Sequence, residues 1–294
     1  MNIRLILTLS VTILATANCD VYEQEEYEEQ YVVESYLIAG EPLPQVRITT
    51  TSPFDQEYLP VEVSVSDANV TITLQDEDET PQDIYEYSET RPGIYEMPQN
   101  NTLVTDQRTY KLKITFPDSD HIITSKTTVP EIFETLSQDS DSVVYQSDVQ
   151  LQASFSKSFY PNRQSYYIFA TQALEPDNYE TTPFWKMADS ETSSLTVINS
   201  GIINEENYTV DGDKLTLRYP WLGFAYFGPN KITTYAIDDN VYDFYRSQSV
   251  QLGGSTLSPG EIPNIIYNMD GAIGIFGSMS GASIQIFIKE PLDL

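Results

Sequence analysis

The chain has one histidine and one cysteine in 294 residues, and 15 lysines and arginines against 44 aspartates and glutamates. Each shortage excludes something. A single histidine, His121, cannot supply an HExxH pair or any two-histidine zinc centre. A lone cysteine cannot close a disulfide within the chain. With a formal net charge of −29, the scarcity of bases sets up a field that repels nucleic acid and anionic membrane surfaces, so both are poor partners. No apolar run approaches the roughly 20 residues that a spanning helix needs. The chain also has no P-loop and no dinucleotide fingerprint, and "GSMSG" (277–281) places Met279 where a nucleophile elbow carries its serine. His121, beside Asp118 and Asp120 in "FPDSDHIITS", reads as a surface residue at a strand start and not as a catalytic base.

The one cysteine stands at a telling place. Residues 1–18 combine Arg4, an apolar segment from Leu5 to Ala15 and a short stretch of small or polar residues, the three parts of a bacterial export signal. Cys19 follows directly, and lipidation is the use for a single cysteine at that position. Each buried CH₂ contributes about 0.8 kcal/mol and one acyl chain anchors only marginally, so three chains on Cys19 would hold the protein firmly to a membrane. Of the residues preceding it, Thr16, Ala17 and Asn18, only Ala17 suits the usual lipobox; the alternative is an ordinary cleaved signal that leaves a free thiol. Loss of the leader would leave 14 bases facing 44 acids, a net charge of −30. Residues 19–30 form the lipidated Cys and an acidic tether: Asp20, Glu23, Glu25, Glu26, Glu28 and Glu29 repel one another and extend the chain. Such a run is either a solvated linker or, by its resemblance to the surface-export signal of Bacteroidota lipoproteins, an address.

Beyond Gln30 the composition turns to β-branched and aromatic residues in short alternating runs. "YVVESYLI" (31–38), "VRITTT" (46–51), "VEVSVS" (61–66), "VTITL" (70–74), "GIYEM" (93–97), "TYKLKITF" (109–116) and "HIITSKTTV" (121–129) read as seven strands. That number in about 100 residues suits one immunoglobulin-like sandwich, assigned to 31–130. A second sandwich, 131–294, is expected from "DVQLQASFS" (148–156), "SYYIFATQ" (165–172), "SLTVIN" (194–199), "KLTLRY" (214–219), "KITTYAI" (231–237) and "SIQIFIK" (283–289). Within "DDNVYDFYRSQ" (238–248), Val241, Phe244 and Tyr245 at i, i+3 and i+4 behind Asn240 as cap predict a short helix. The expected fold class is therefore all-β, two immunoglobulin-like β-sandwich domains with a short helix in the second.

Four segments carry a family resemblance: "VVESYLIAGEPLPQVRITTTSPF" (32–54), "VSDANVTITLQDED" (65–78), "RPGIYEM" (91–97) and "NIIYNMDGAIGIFGSMS" (264–280). With them the chain resembles the domain of unknown function family 4249 (DUF4249), largely lipoproteins of Bacteroidota and relatives. Gly93 and Tyr95 look like its hairpin signature, and Gly271, Gly274 and Gly277 look placed for tight strand packing. Ser35 stands where many members have Gly after "VVE". The resemblance implies an outer-membrane lipoprotein and, by association with TonB-dependent transporters, a role in uptake or in the envelope.

Chemistry is left to carboxylates and aromatics. A glycosidase needs only two acids across a cleft, but 44 of them make any chosen pair uninformative. Oxygen ligands cluster in 75–80, 118–121, 139–142 and 211–213, so a structural calcium site is open, although none has the full EF-hand spacing; no other cofactor is expected. In "RYPWLGFAYFG" (218–228), Tyr219, Trp221, Phe224, Tyr226 and Phe227 form the densest aromatic set, read either as core or, with Pro220, Gly223, Gly228 and Pro229, as a projecting partner-binding loop. The expectation is a non-enzymatic cell-envelope lipoprotein, membrane-held through its anchor, binding an outer-membrane transporter or a glycan. A carboxylate-dependent glycan hydrolase and a structural surface protein are the alternatives.

Overall fold

A computed structural model describes residues 27–53, 55–98, 101–187, 195–203, 208–252 and 264–291. Cys19, the leader and most of the acidic spacer lie outside the described residues. Among the described residues no helix is long and apolar enough to cross a membrane.

The first half is built from β1 (Tyr31–Ile38), β2 (Val46–Thr50), β3 (Asn69–Gln75), β4 (Pro81–Arg91), β5 (Ile94–Glu96), β6 (Thr109–Phe116) and β7 (Ser119–Thr128). Alternation of apolar and polar residues makes these strands: in β6, Tyr110, Leu112 and Ile114 are buried while Lys113 is exposed. Hydrogen bonding runs β1-β2-β5-β4-β3-β6-β7. β4 changes partners along its length, pairing β3 through residues 81–87 and β5 through 88–91, so the sheet bends around one core. Its two ends nearly meet: Thr124 of β7 exchanges two backbone hydrogen bonds with Asp270, just ahead of the last strand. Val33, Ile48, Ile72, Leu112, Ile114 and Ile123 fill the interior.

The second half has a four-stranded sheet of β8 (Thr135–Gln138), β10 (Gln152–Ser156), β13 (Tyr208–Asp211) and β14 (Lys214–Arg218). Facing it across a second core are β9 (Ser142–Val144), β11 (Tyr166–Ala173), β12 (Val197–Asn199), β15 (Gly228–Ile237) and β16 (Ile273–Lys289). Phe155, Leu215 and Leu217 from one sheet meet Phe169, Ile232, Ile284 and Ile286 from the other. The expected all-β architecture of sandwich-like units, with a helix in the second, is the architecture found.

β16 joins the two. Its 17 residues pair parallel with β1 over 273–279 and antiparallel with β15 over 279–288. On its inner face Phe276 belongs to the first core, Ser278 and Ser280 are buried between the cores, and Ala282, Ile284, Ile286 and Ile288 belong to the second. The change of core falls near residue 130 along the rest of the chain, between Val129 and Phe133.

Local expectations differ from the structure in several places, and β8, β9 and β13 were not among the expected strands. "VEVSVS" is a turn with one bridge, Thr49 to Ser64: Glu62 and Val63 bond back to the Leu59 carbonyl and Val61 is exposed. β4 was not expected, because "PQDIYEYSETR" is mostly exposed and shows no apolar alternation. Val149 is exposed, so the inward alternation in 148–156 begins at Leu151. The helix spans Asp239–Leu252, and its cap is Asp238, whose Oδ1 accepts the Val241 N–H at 2.8 Å. Asn240 instead donates to the Lys126 and Phe276 carbonyls.

Candidate functional site

Several polar and aromatic side chains converge on β16, on its two faces. Inside, Asp238 is fully buried and is held by both halves of the molecule. Its Oδ2 lies 2.5 Å from the Thr127 hydroxyl of β7. Thr127 Oγ1 in turn is 2.7 Å from Ser278 Oγ of β16, which donates to the Thr128 carbonyl at 2.9 Å. Ser280 Oγ donates to the Glu131 carbonyl, which also accepts from Ser158. Burial raises the Asp238 pKa to about 6, against the lowering effect of hydrogen bonds from Thr127 and from the Val241 and Ser278 backbone. Beside this joint Asn268 donates to the Phe276 carbonyl and Ser125 Oγ, while its Oδ1 accepts the Phe276 N–H. His121 Nε2 lies 2.6 Å from the Gly271 carbonyl, and the ring packs against Tyr31 and Phe116, so the one histidine fastens the start of β16.

The helix covers the outer face of β16 where the joint lies. It can approach because residue 277 is glycine: a Cβ there would sit 2.5 Å from Val241 Cγ2. Gly274, at φ +118, similarly lets β16 run against the Val33 backbone. The expectation of tight packing at these glycines therefore has a geometric basis. Arg163 fixes the helix start by bonding Asp239 and the Ile237 carbonyl, with its guanidinium 4.1 Å from the Tyr160 ring centre and 4.4 Å from that of Tyr166.

Where the helix stops covering the strand, an open groove of about 380 Å³ crosses β1, β16 and β15. Tyr36 and Tyr235 wall it, Gly281 and Ser283 form its floor, and Lys231 and Glu41 supply charge at its rim. Tyr235 is paired across the strands with Gly281, and its ring lies over that glycine, 3.0 Å from where a Cβ would stand. Burial, with Tyr245, Glu34 and Asp238 nearby, pushes the Tyr36 phenol above its ordinary pKa, so it stays a neutral donor.

The aromatic segment expected as a partner-binding candidate is not a projecting loop. Tyr219 and Phe224 are fully buried, Tyr226 and Phe227 nearly so, and Trp221 is half-buried against Tyr145 and Phe224. Pro220 precedes a tight 3-10 turn, Trp221–Gly223, after which Phe224 and Phe227 join Tyr219 in the second core, while Tyr226 packs with Ala173, Ile198 and Ala225. Exposure was the premise of that candidacy, and the packing removes it. The acid-rich stretches stay apart: among the described residues no group of three His, Cys, Asp or Glu side chains is placed to hold a metal ion. Sequence reasoning missed Tyr36, Tyr235, Asp238, Thr127 and Ser278. Asp238 had a signal, an aspartate just before an amphipathic run; the tyrosines had only their outward positions in expected strands.

A family model described as a domain of unknown function (DUF4249) matches residues 18–285. No curated protein matches the chain. Among solved structures, trypsin-activated alpha-2-macroglobulin from Escherichia coli aligns at 10% identity and a TM-score of 0.23, over 90% of this chain and 16% of that one. Salmonella alpha-2-macroglobulin reacted with methylamine gives 9% and 0.22 over 89% of this chain and 15% of that one. The three N-terminal domains of the bacteriophage RB49 outer capsid protein Hoc give 11% and 0.21, over 89% and 71%. The chain thus spans a small part of the macroglobulins, and likeness at this level carries no functional argument.

Proposed function

Because the chain belongs to DUF4249, a family whose description assigns no activity, we propose its role from its own residues: a cell-envelope lipoprotein, anchored at Cys19, that binds a partner and is not an enzyme. The groove of Tyr36 and Tyr235 is the observation that carries this reading. Rigid aromatic walls beside hydrogen-bonding Ser283 and Thr233 offer contact area at low entropic cost, which suits a glycan or a segment of an outer-membrane transporter. The fully buried carboxylate of Asp238 is occupied as a helix cap and is not offered as a catalytic group.

Co-purification from envelope membranes with mass spectrometry tests the reading. Tyr235→Ala is expected to lose the captured partner with little change in melting temperature, and the amino-terminal peptide is expected to begin at a lipid-bearing Cys19. Unchanged capture by Tyr235→Ala would overturn the assignment of the groove. Release of reducing sugar from envelope glycans by the purified chain would overturn the non-enzymatic reading.

A further inference from the structure

We infer that Asp238 is held as a neutral acid at the head of a hydroxyl chain, so that the joint between the two halves is tight when this acid is protonated and loosens when it ionises. Three oxygen–oxygen links run in series: Asp238 Oδ2 to Thr127 Oγ1 at 2.5 Å, Thr127 Oγ1 to Ser278 Oγ at 2.7 Å, and Ser278 Oγ to the Thr128 carbonyl at 2.9 Å. The chain ends on a carbonyl, which brings no proton, and the two hydroxyls bring one each. Two protons cannot fill three links. With Asp238 ionised, one pair of oxygens would face each other unbridged among fully buried groups, which is costly. With Asp238 protonated, Oδ2 donates to Thr127, Thr127 to Ser278 and Ser278 to Thr128, while Oδ1 still accepts from Val241.

Neither Arg163 nor Lys126 offsets this. Arg163 is committed to Asp239 and to the Ile237 carbonyl, and Lys126 of β7 reaches outward to Glu79. The other titratable groups facing the acid are Tyr36 from β1, Tyr160 from the segment before β11, and Asp239 at the head of the helix. Of these only Asp239 carries charge where Asp238 titrates, and it favours the neutral form; burial holds the two phenols neutral there. The folded-state pKa is raised from 3.8 to about 6. Stability from this group is therefore fully present below the unfolded value and is lost as pH rises through about 6. The chain links β7, β16 and the helix cap, so ionisation acts on the contact between halves.

Asp238→Asn is the informative variant, because its amide donates to Thr127 and its carbonyl accepts from Val241 at every pH. Relative to this variant, the wild-type melting temperature is expected to fall by about 5 °C between about pH 4.5 and pH 7.5. Titration of the other carboxylates changes both proteins alike and cancels. Parallel curves would overturn the inference. A carboxyl-carbon NMR titration of the wild-type protein, assigned by triple resonance, needs no variant: Asp238 should titrate near pH 6, and titration in the ordinary carboxylate range would overturn the proposal.

Discussion

The two cores hold unlike material. Of the 19 buried residues in the second core eight are aromatic, whereas in the first core only Tyr87, Tyr95, Tyr110 and Phe276 are, among 17. Hydrogen-bonded strands enclose the first almost throughout, and β-branched side chains on alternate positions fill the space between them. The second is closed partly by irregular chain, including the turn at Trp221–Gly223 and the loops around Tyr145 and Tyr179. Such walls leave deeper, less periodic space, and rings fill it through edge contacts such as Phe133 with Phe155 and Phe169 with Tyr219. An aromatic-rich segment between prolines and glycines can thus be interior material for an irregular wall.

The largest loss should come from removing a ring at the centre of the second core. Phe224→Ala is expected to cost about 3–5 kcal/mol in chemical denaturation, and Trp221→Ala clearly less, because that ring is half-buried. Equal costs for the two would dissolve the distinction between core and turn. Gly277→Ala probes the strand that both cores share. Its Cβ must displace Val241, and overpacking of this kind costs about 1–3 kcal/mol. Hydrogen exchange should rise first in the first turns of the helix, and faster exchange confined to one core would instead show that β16 does not couple them. The smallest effect concerns neither core. With a net charge of −29, the melting temperature should rise by a few degrees as the Debye length falls from about 30 Å at 0.01 M salt to about 8 Å at 0.15 M. A flat curve would mean that pairs such as Arg108 with Asp76 and Lys126 with Glu79 outweigh the field.

Legibility followed the same divide. β1, β6 and β7 could be read nearly to the residue, because an alternating strand with one wet face carries its own signature. β4 could not, since its polar residues form a strand only when β3 and β5 supply hydrogen bonds on both sides. The stretch 273–282 was read as glycines near the end of the chain; it is the first part of β16, stabilised by β1 from the opposite end of the sequence. Asp238 was assigned to the helix but its capping role went to Asn240, because the choice between them depends on Lys126 and Phe276, which accept the Asn240 amide.

Composition and local pattern by themselves determined the all-β class, the presence of a helix near residue 240, the exclusion of two-histidine metal sites and of disulfides within the chain, and the strongly acidic field, since each depends on residue counts or on neighbours a few positions away. Tertiary structure alone decided that one strand serves both cores, that the Tyr219–Phe227 rings point inward, that Tyr36 and Tyr235 wall a groove and that Asp238 meets Thr127 and Ser278. Those outcomes rest on contacts between residues far apart in sequence, such as Asp238 with Thr127, Thr127 with Ser278, and β1 with β16. Burial and pairing at such distances are settled by how the sheets close, a property that no short window of sequence contains.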